Sequence, residues 1–343
     1  MHIDEIKKTL NKEEYNFLRS DEHLGDNIIL LGVGGSHAYG CETPESDIDI
    51  RGIALNSKRE ILLSEDFDQV TDLPTDTVVY SLNKMINLLS ESNPNTIEIL
   101  GLKPEHYLHL TDIGEELLAN KKMFLSKVCI PKFLGYAEGQ MRRLENKSAR
   151  KLSQEEFEKH ILKTVENAEY EFKRKYYPLG EGNIKLYIDE AVTEGYNVEI
   201  FMDVDGFKHY PLRDALGMWN EAKAIVSSFN KNSKRNEYAA SHDKLGKHMS
   251  TILMLYMKGI DILEKEDVIT YREKEHDLIM DIRKGKYLDS NSQPIPEFYE
   301  IVNDYAKRFE YAKENTSLPD FPDYKKIKDF KAYAFEKIVK GEI

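Results

Sequence analysis

The chain has 343 residues, 41% hydrophobic and 32% charged, which is typical of a globular protein able to bury a sizeable core. Its 48 basic and 61 acidic residues give a net charge of −13. This balance argues against tight nonspecific binding to a polyanion, because such binding depends on many Lys and Arg contacts to phosphate. No run of about 18 apolar residues is present, so we expect no membrane span. The two cysteines, Cys41 and Cys129, have no metal-ligand spacing and suggest a reducing compartment, so we expect a cytoplasmic protein.

The first part of the chain has the pattern of alternating strands and helices. Residues 27–33 form a short apolar run rich in branched side chains, which predicts a buried strand ending at a glycine turn. Residues 46–55 alternate between polar and apolar side chains at their start, as a strand does. Residues 76–80 predict a third strand and residues 82–89 a helix. Together these elements indicate an α+β fold with a small mixed sheet.

The remainder of the chain has helical spacing and few turn residues. Helices are predicted over residues 133–150, 154–177, 214–229, 242–263 and 271–286. The exception is residues 183–210, where a β-branched run and a turn-like segment predict either a β-hairpin or an irregular insertion. We therefore expect one domain over residues 1–125, carrying the chemistry, and a mostly helical substrate or accessory domain over residues 126–343.

Two carboxylates, Asp47 and Asp49, lie two residues apart in the second predicted strand. Residues with this spacing point to the same face of a strand, so the carboxylates would repel unless a cation lay between them. Mg²⁺ usually takes one or two carboxylates together with substrate phosphates, and two such ions can clamp the oxygens of a phosphoryl displacement. We therefore predict that Asp47 and Asp49 bind two Mg²⁺ or Mn²⁺ ions.

The turn before these carboxylates has the sequence Gly34-Gly35-Ser36. The two glycines allow the backbone to approach a phosphate closely, and the Ser36 hydroxyl can contact that phosphate. Ser36 could equally serve as the N-cap of a following helix, because capping and phosphate binding use the same geometry. A glycine turn upstream of an Asp-x-Asp strand is a stronger signal than either motif alone, and it predicts a site for a nucleoside triphosphate.

Three further residues are candidates for nucleotide binding. Arg51 shares a strand face with Asp49, where it could contact a phosphate or pair with a carboxylate. Lys244 and His248 lie four residues apart on an otherwise apolar predicted helix. Their stripe either faces the cleft, where the lysine would bind triphosphate, or is an ordinary solvated face.

The fuller strings around these motifs resemble one branch of the polymerase-β nucleotidyltransferase superfamily. The branch is that of nucleotidyltransferases associated with RNA repair genes in bacteria and phages. The resemblance rests on residues 34–40 (Gly-Gly-Ser-His-Ala-Tyr-Gly), 46–52 (Ser-Asp-Ile-Asp-Ile-Arg-Gly), 93–100, 244–248 and 281–285. One position departs from the family's pattern, since Thr251 stands where an arginine often follows the histidine. The resemblance implies transfer of a nucleoside monophosphate from a nucleoside triphosphate to an acceptor hydroxyl, with release of pyrophosphate.

The resemblance also implies a third carboxylate on a neighbouring strand. Asp76, at the head of the third predicted strand, is our choice as metal ligand and base, with Asp72 as the alternative. Glu98 is a weaker candidate, because Asn95-x-x-Glu98 is the pattern of a helix capping box. The implied acceptor is an RNA end, such as that of a damaged tRNA. The alternatives are nucleotidylation of a protein or small molecule, and a nucleotide-sensing module without turnover.

Overall fold

The fold is that of a computed structural model of the whole chain. The structure describes residues 3–44, 46–149 and 243–342, two strands at 184–190 and 198–204, and scattered single positions between 159 and 223. The helices predicted over residues 154–177 and 214–229 thus lie largely outside the described residues. Two compact units are present, one comprising residues 1–141, 246–286 and 296–343, the other residues 142–245 and 287–295. The domain division near residue 125 stays a prediction.

A mixed five-stranded sheet forms the centre of the first unit. Its strands are β1 (Ile28–Val33), β2 (Ile50–Ala54), β3 (Gln69–Asp72), β4 (Thr77–Ser81) and β5 (Tyr107–Leu110). They lie in the order β3-β4-β2-β1-β5. Strands β2 and β4 are parallel, and the other neighbours are antiparallel. This sheet, followed by a helical C-terminal region, confirms the predicted α+β fold.

Helices surround the sheet and make up most of the described C-terminal region. The first seven are α1 (Ile3–Thr9), α2 (Phe17–Ser20), α3 (Gly35–Tyr39), α4 (Lys58–Leu63), α5 (Leu82–Ser90), α6 (Asp112–Ala119) and α7 (Cys129–Ala149). The last four are α8 (Asp243–Lys265), α9 (His276–Arg283), α10 (Pro296–Asn315) and α11 (Tyr324–Lys340). Among the helices that the structure describes, none combines the length and apolar character needed to cross a bilayer.

Hydrophobic patterning explains how these elements pack. All six residues of β1 are buried, as its continuous apolar run predicts. Helix α5 follows the sheet directly, with the Ser81 hydroxyl accepting a hydrogen bond from Lys84 N at 3.1 Å as its N-cap. Its buried residues recur with helical spacing and are Leu82, Met85, Ile86 and Leu89. Another apolar cluster joins α2 to the sheet through Leu18, Leu31 and Ile50.

The second strand begins later than its alternating sequence predicts. Strand pairing starts at Ile50, and the preceding residues are not part of the ladder. Ser46 instead closes a turn, since its N–H donates to Thr43 O at 2.9 Å and its hydroxyl accepts from Thr43 N at 2.8 Å. The prediction that Asp47 and Asp49 both lie on a strand is therefore wrong.

The helix predicted over residues 271–286 also begins late, at His276. Two residues before it donate their backbone N–H groups to partners elsewhere in the chain. Thr270 N donates to Gly101 O at 3.2 Å, and Arg272 N donates to Tyr39 O at 3.2 Å. These bonds tie the segment to the region around α3 instead of leaving its N–H groups for a helix.

The described part of the second unit contains an antiparallel β-hairpin. Its strands, β6 (Ile184–Glu190) and β7 (Val198–Val204), pair over their full length. A hairpin is one of the two alternatives considered for residues 183–210. In the same unit, the side chain of Gln293 donates to Ser148 O at 2.8 Å.

Candidate functional site

Three distant segments of the chain meet at one edge of the sheet. Because β1 is antiparallel to β2, its C-terminal end lies beside the start of β2, where Val33 pairs with Ile50. Because β4 is parallel to β2, it starts at the same edge, where Ile50 pairs with Thr77. The topology therefore brings together the glycine turn after β1, Asp49 before β2 and Asp76 before β4.

The glycine turn packs directly against Asp49. Gly34 N donates to Asp49 O at 2.8 Å. Gly35 has φ +53°, a left-handed conformation, and a Cβ at this position would collide with the Asp49 carboxylate. Gly34 occupies the N-cap position of α3, so Ser36 is not the cap; its buried side chain borders a cleft. Of the two alternatives for Ser36, the N-cap is wrong.

Asp49 and Asp76 form a hydrogen-bonded pair of carboxyl groups. Burial, the hydrogen bond with Asp76 and the negative charge of that neighbour raise the pKa of Asp49 to about 6. Burial alone would raise the pKa of Asp76, but the bond with Asp49 and the Arg51 guanidinium lower it. Without a cation, the pair therefore retains a proton below about pH 6, and that proton belongs to the coupled pair.

The Arg51 guanidinium contacts both carboxylates of this pair. Its Nη2 lies 3.1 Å from Asp76 Oδ1 and 3.6 Å from Asp49 Oδ1, and its Nη1 donates to Ile50 O at 2.9 Å. Of the two roles considered for Arg51, the structure shows carboxylate pairing. Its direct contact with a nucleotide stays a prediction.

The other predicted acids lie outside this pair. Asp47 is exposed in the segment before β2. Asp72, the alternative third acid, serves the turn between β3 and β4, where its Oδ2 accepts from Thr75 N at 3.1 Å. Among the residues that the structure describes, no three His, Cys, Asp or Glu side chains are grouped so that they could hold a metal ion.

The carboxylate pair nevertheless has the donor chemistry of a Mg²⁺ site. Mg²⁺ prefers hard oxygen ligands and is commonly bound by one or two carboxylates, with water and substrate phosphates completing its shell. Burial and the charge of Asp76 raise the pKa of Asp49, so a cation bound between the two carboxylates would favour the ionised form of both. The chemistry of Asp49 and Asp76 thus suits the divalent cation that the sequence implies, which they would hold with two carboxylates.

A cleft of about 160 Å³ opens beside the glycine turn. Residues from three parts of the first unit line it, among them Gly35, Ser36, Glu98, Lys247, Lys258 and Arg283. Three of these six carry a positive charge, so the cleft suits an anionic ligand. The Lys247 ammonium lies close enough to the carboxylate pair to lower the pKa of both Asp49 and Asp76.

Helix α8 presents a different face to this cleft from the one predicted. The lining residues Lys247, Thr251 and Lys258 follow helical spacing and share one side of α8. His248 Nε2 lies 2.9 Å from Gln140 O on α7, so this ring has a backbone partner and does not line the cleft. The side chain of Lys244 lies outside the described residues. Lys247 therefore lines the cleft on the helix for which the sequence predicted Lys244 and His248 as nucleotide-binding residues, and the role of Lys244 stays a prediction.

The helix-capping role favoured for Glu98 is wrong. The short helical turn Ile97–Gly101 has Thr96 at its N-cap, without a side-chain cap. The Glu98 carboxylate instead accepts hydrogen bonds from the Tyr39 hydroxyl and from Lys258 Nζ, the latter at 3.0 Å. Sequence reasoning missed these partners because Lys258 is 160 residues away and no local pattern links them.

Arg283 connects the cleft to the loop before Asp47. Its guanidinium donates to Ser46 Oγ at 3.3 Å and contacts Cys41 Sγ at 3.9 Å. Burial raises the pKa of the Cys41 thiol, although the Arg283 charge opposes that rise. Arg283 therefore both lines the cleft and anchors the loop that leads to the carboxylate pair.

Comparison with known proteins finds a matching family model and a phage relative. The model of the RlaP family, described as the RNA repair pathway DNA polymerase beta family, matches residues 5–179. An Enterobacteria phage T4 protein, named as an uncharacterized 38.9 kDa protein in the nrdC-mobD intergenic region, is 28% identical over 135 residues. That alignment covers 36% of this chain and 40% of the phage protein, so the chain spans less than half of that relative. No solved structure matches the chain.

Proposed function

The chain belongs to the RlaP family, and from this premise we propose that it transfers a nucleoside monophosphate from a nucleoside triphosphate to an acceptor hydroxyl. Family membership suggests a nucleotidyltransferase, and the site geometry supports the finer statement. The observation that carries the proposal is the Asp49–Asp76 pair, packed against the Gly34–Gly35 backbone beside a cleft lined by cations.

The triphosphate would bind between the glycine turn and α8. Gly35 leaves room for a phosphate to approach the backbone, and the Ser36 hydroxyl borders the same cleft. Lys247 and Arg283 supply positive charge to the same cleft. Their role is to hold the β- and γ-phosphates, so that the α-phosphorus lies near Asp49.

Asp49 and Asp76 would hold divalent cations, Mg²⁺ or Mn²⁺, with Asp47 as a further ligand from the same segment. When bound, such ions neutralise charge on the phosphates and lower the pKa of a coordinated hydroxyl. Arg51 keeps Asp76 in place through its contact at 3.1 Å. Asp49 and Asp76 would have to be ionised to hold the cation, so cation binding would be weaker below about pH 6.

In the proposed reaction, the acceptor oxygen attacks the α-phosphorus in line with the leaving group. A new bond forms between phosphorus and the acceptor oxygen, the bond to the oxygen bridging the α- and β-phosphates breaks, and pyrophosphate leaves with that electron pair. The hydroxyl proton passes to the Asp76 carboxylate, whose lowered pKa keeps it ionised, and then to water.

The proposed acceptor is an RNA end, such as that of a tRNA. The description of the family as an RNA repair pathway family supports this choice. The net charge of −13 favours the second candidate, nucleotidylation of a protein or small molecule, because an acidic surface does not attract nucleic acid. Both candidates use the same nucleotide site, so one experiment can separate them.

A label-transfer assay tests the proposal. The protein is incubated with each α-³²P-labelled nucleoside triphosphate, Mg²⁺ or Mn²⁺, and either total RNA or cell protein. We expect label in RNA, and a loss of at least about 100-fold in Asp49→Asn, because that variant cannot acquire the charge that holds the cation. Asp72→Asn is the matched control, since it makes the same chemical change in the turn between β3 and β4, outside the carboxylate pair. This variant should transfer label normally.

Label in protein instead of RNA would move the assignment to protein nucleotidylation. Binding of nucleotide without any transfer would support the nucleotide-sensing module and contradict the proposed reaction. Equal activity of wild type and Asp49→Asn would contradict the proposed site.

A further inference from the structure

Glu98 lines two cavities that the glycine turn also borders. One is the cleft that contains Gly35 and Ser36, and the other is a cavity of about 10 Å³ bordered by Gly34 and Arg51. Its side chain is 15% exposed, so most of it is enclosed while a small part remains accessible. The proposed reaction uses neither this acid nor its partners.

The carboxylate of Glu98 is oriented and charge-balanced by two partners. Its Oε2 accepts from the Tyr39 hydroxyl and from Lys258 Nζ, which is 3.0 Å away. Lys258 is almost fully buried and also donates to Pro94 O at 2.9 Å, so its position is fixed. Among the residues that the structure describes, none hydrogen-bonds to the second oxygen, Oε1. Glu98 therefore presents one preoriented acceptor oxygen, and Lys258 offsets its repulsion of nearby phosphates.

The location of this acceptor indicates which part of a nucleotide it meets. In the proposed function the α-phosphorus lies beside Asp49 and the glycine turn, and the sugar is bonded directly to that phosphate group. Glu98 lines one cavity with Gly34 and another with Gly35 and Ser36, so it borders the same space as the glycine turn. The base, one sugar further along the nucleotide, would lie beyond it.

We propose that Glu98 accepts a hydrogen bond from a ribose hydroxyl, so that the site selects ribonucleotides over their deoxy counterparts. A ribose hydroxyl is a neutral donor, and an ionised carboxylate is a strong acceptor without a donor of its own. Acidic side chains bind ribose hydroxyls in the same way in dinucleotide-binding folds. A sugar without the hydroxyl would leave Oε1 desolvated and without a donor. This inference rests on the proposed function, because it assumes a nucleotide in the cleft.

Isothermal titration calorimetry tests the inference by binding, independently of turnover. Each of the four ribonucleoside triphosphates is titrated with Mg²⁺ into wild type, alongside its 2′-deoxy and 3′-deoxy forms. We expect the ribonucleotide to bind at least about 10-fold more tightly than one of the two deoxy forms, as a hydrogen bond to a charged group requires. In Glu98→Gln most of that preference should disappear, through weaker binding of the ribonucleotide alone.

Glu91→Gln is the matched control, because Glu91 also pairs with a lysine, Lys132 at 3.3 Å, but on the exposed surface. It should keep the full preference. Circular dichroism melting checks that Glu98→Gln is folded, and a double variant with Lys258→Met removes the buried charge if it is not.

Equal affinity for ribonucleotides and both deoxy forms in wild type would overturn the inference and leave the proposed function intact. An equal loss of affinity in Glu98→Gln for the ribonucleotide, its 2′-deoxy form and its 3′-deoxy form would also overturn the inference. Glu98 would then be a general structural or phosphate-site residue. Absence of binding by every nucleotide would overturn the proposed function and the inference together.

Discussion

At the scale of single residues, the proton shared by Asp49 and Asp76 makes stability depend on pH. The pKa of Asp49 is about 6 in the folded protein, above its usual 3.8, so the folded state holds this proton more tightly than the unfolded state. Its contribution to stability is therefore greatest below pH 4 and is lost as pH rises towards 6.

We expect Asp49→Asn to gain stability relative to wild type as pH rises from 4 to 7, by about 1 to 3 kcal/mol. The amide cannot ionise beside Asp76, whereas the carboxyl must. Urea unfolding of both proteins in EDTA measures this difference at each pH. Addition of Mg²⁺ should reduce the difference, because a cation replaces the proton in wild type. A pH-independent difference would contradict the shared proton.

Gly35 is the residue whose replacement should affect the site most directly. Gly35→Ala puts a Cβ on a backbone with φ +53° and into the Asp49 carboxylate, so we expect transfer activity to fall by at least about 100-fold. Gly139→Ala in α7 is the control, because no heavy atom lies within 4 Å of its added Cβ. That change should raise the unfolding free energy by about 0.5 to 1 kcal/mol, which thermal unfolding can measure.

At the scale of elements, α8 supplies Lys247 and Lys258 to the cleft. The sequence alone did not show which face of this helix meets the cleft. We expect Lys247→Ala to raise the KM for nucleoside triphosphate by about 10-fold or more, with little change in unfolding free energy, because Lys247 is exposed and faces the carboxylate pair. Lys307→Ala, on the exposed surface of α10, is the control for the loss of one positive charge. Equal KM values in Lys247→Ala and Lys307→Ala would contradict the prediction that Lys247 binds the triphosphate.

The elements also show how far sequence reasoning extends. Strands β1 and β4 and helix α5 were predictable because apolar periodicity and a local cap determine them. The start of β2 was not, because the turn at Thr43 and Ser46 competes with an alternating pattern that continues upstream. Likewise, Lys247 was not predicted to line the cleft, because that depends on which side of α8 packs against α7, where His248 contacts Gln140. Tertiary contacts of this kind cannot be predicted from the local spacing of residues in the sequence.

At the scale of the whole molecule, a buried ion pair links the C-terminal segment to the site. Arg272 and Asp261 are 4% exposed each, and Arg272 N also donates to Tyr39 O at the end of α3. Asp261 also pairs with Lys265 at 2.7 Å, and the Lys265 side chain is 52% exposed. We expect Arg272→Met to lower the unfolding free energy by about 1 to 3 kcal/mol, because Asp261 loses its buried partner and keeps only the one at the surface. Chemical denaturation measures this loss.

Arg308→Met is the matched control for that experiment. Arg308 pairs with Glu264 at 2.6 Å, but its side chain is 52% exposed. Solvent-exposed pairs contribute about 0 to 1 kcal/mol, so this variant should unfold almost as wild type does. A similar loss in both variants would contradict the special role of the buried pair.

The pairing of Glu98 with Lys258 has a consequence for biosynthesis. The sheet is complete in the nascent chain once β5 has been made, but Lys258 emerges about 150 residues later. At about 5 to 20 residues per second, translation leaves Glu98 without its ammonium partner for roughly 10 to 30 seconds. During that interval the ribosome-bound chain has its carboxylate pair but not the lysines of α8, so the nucleotide cleft is assembled only late in synthesis.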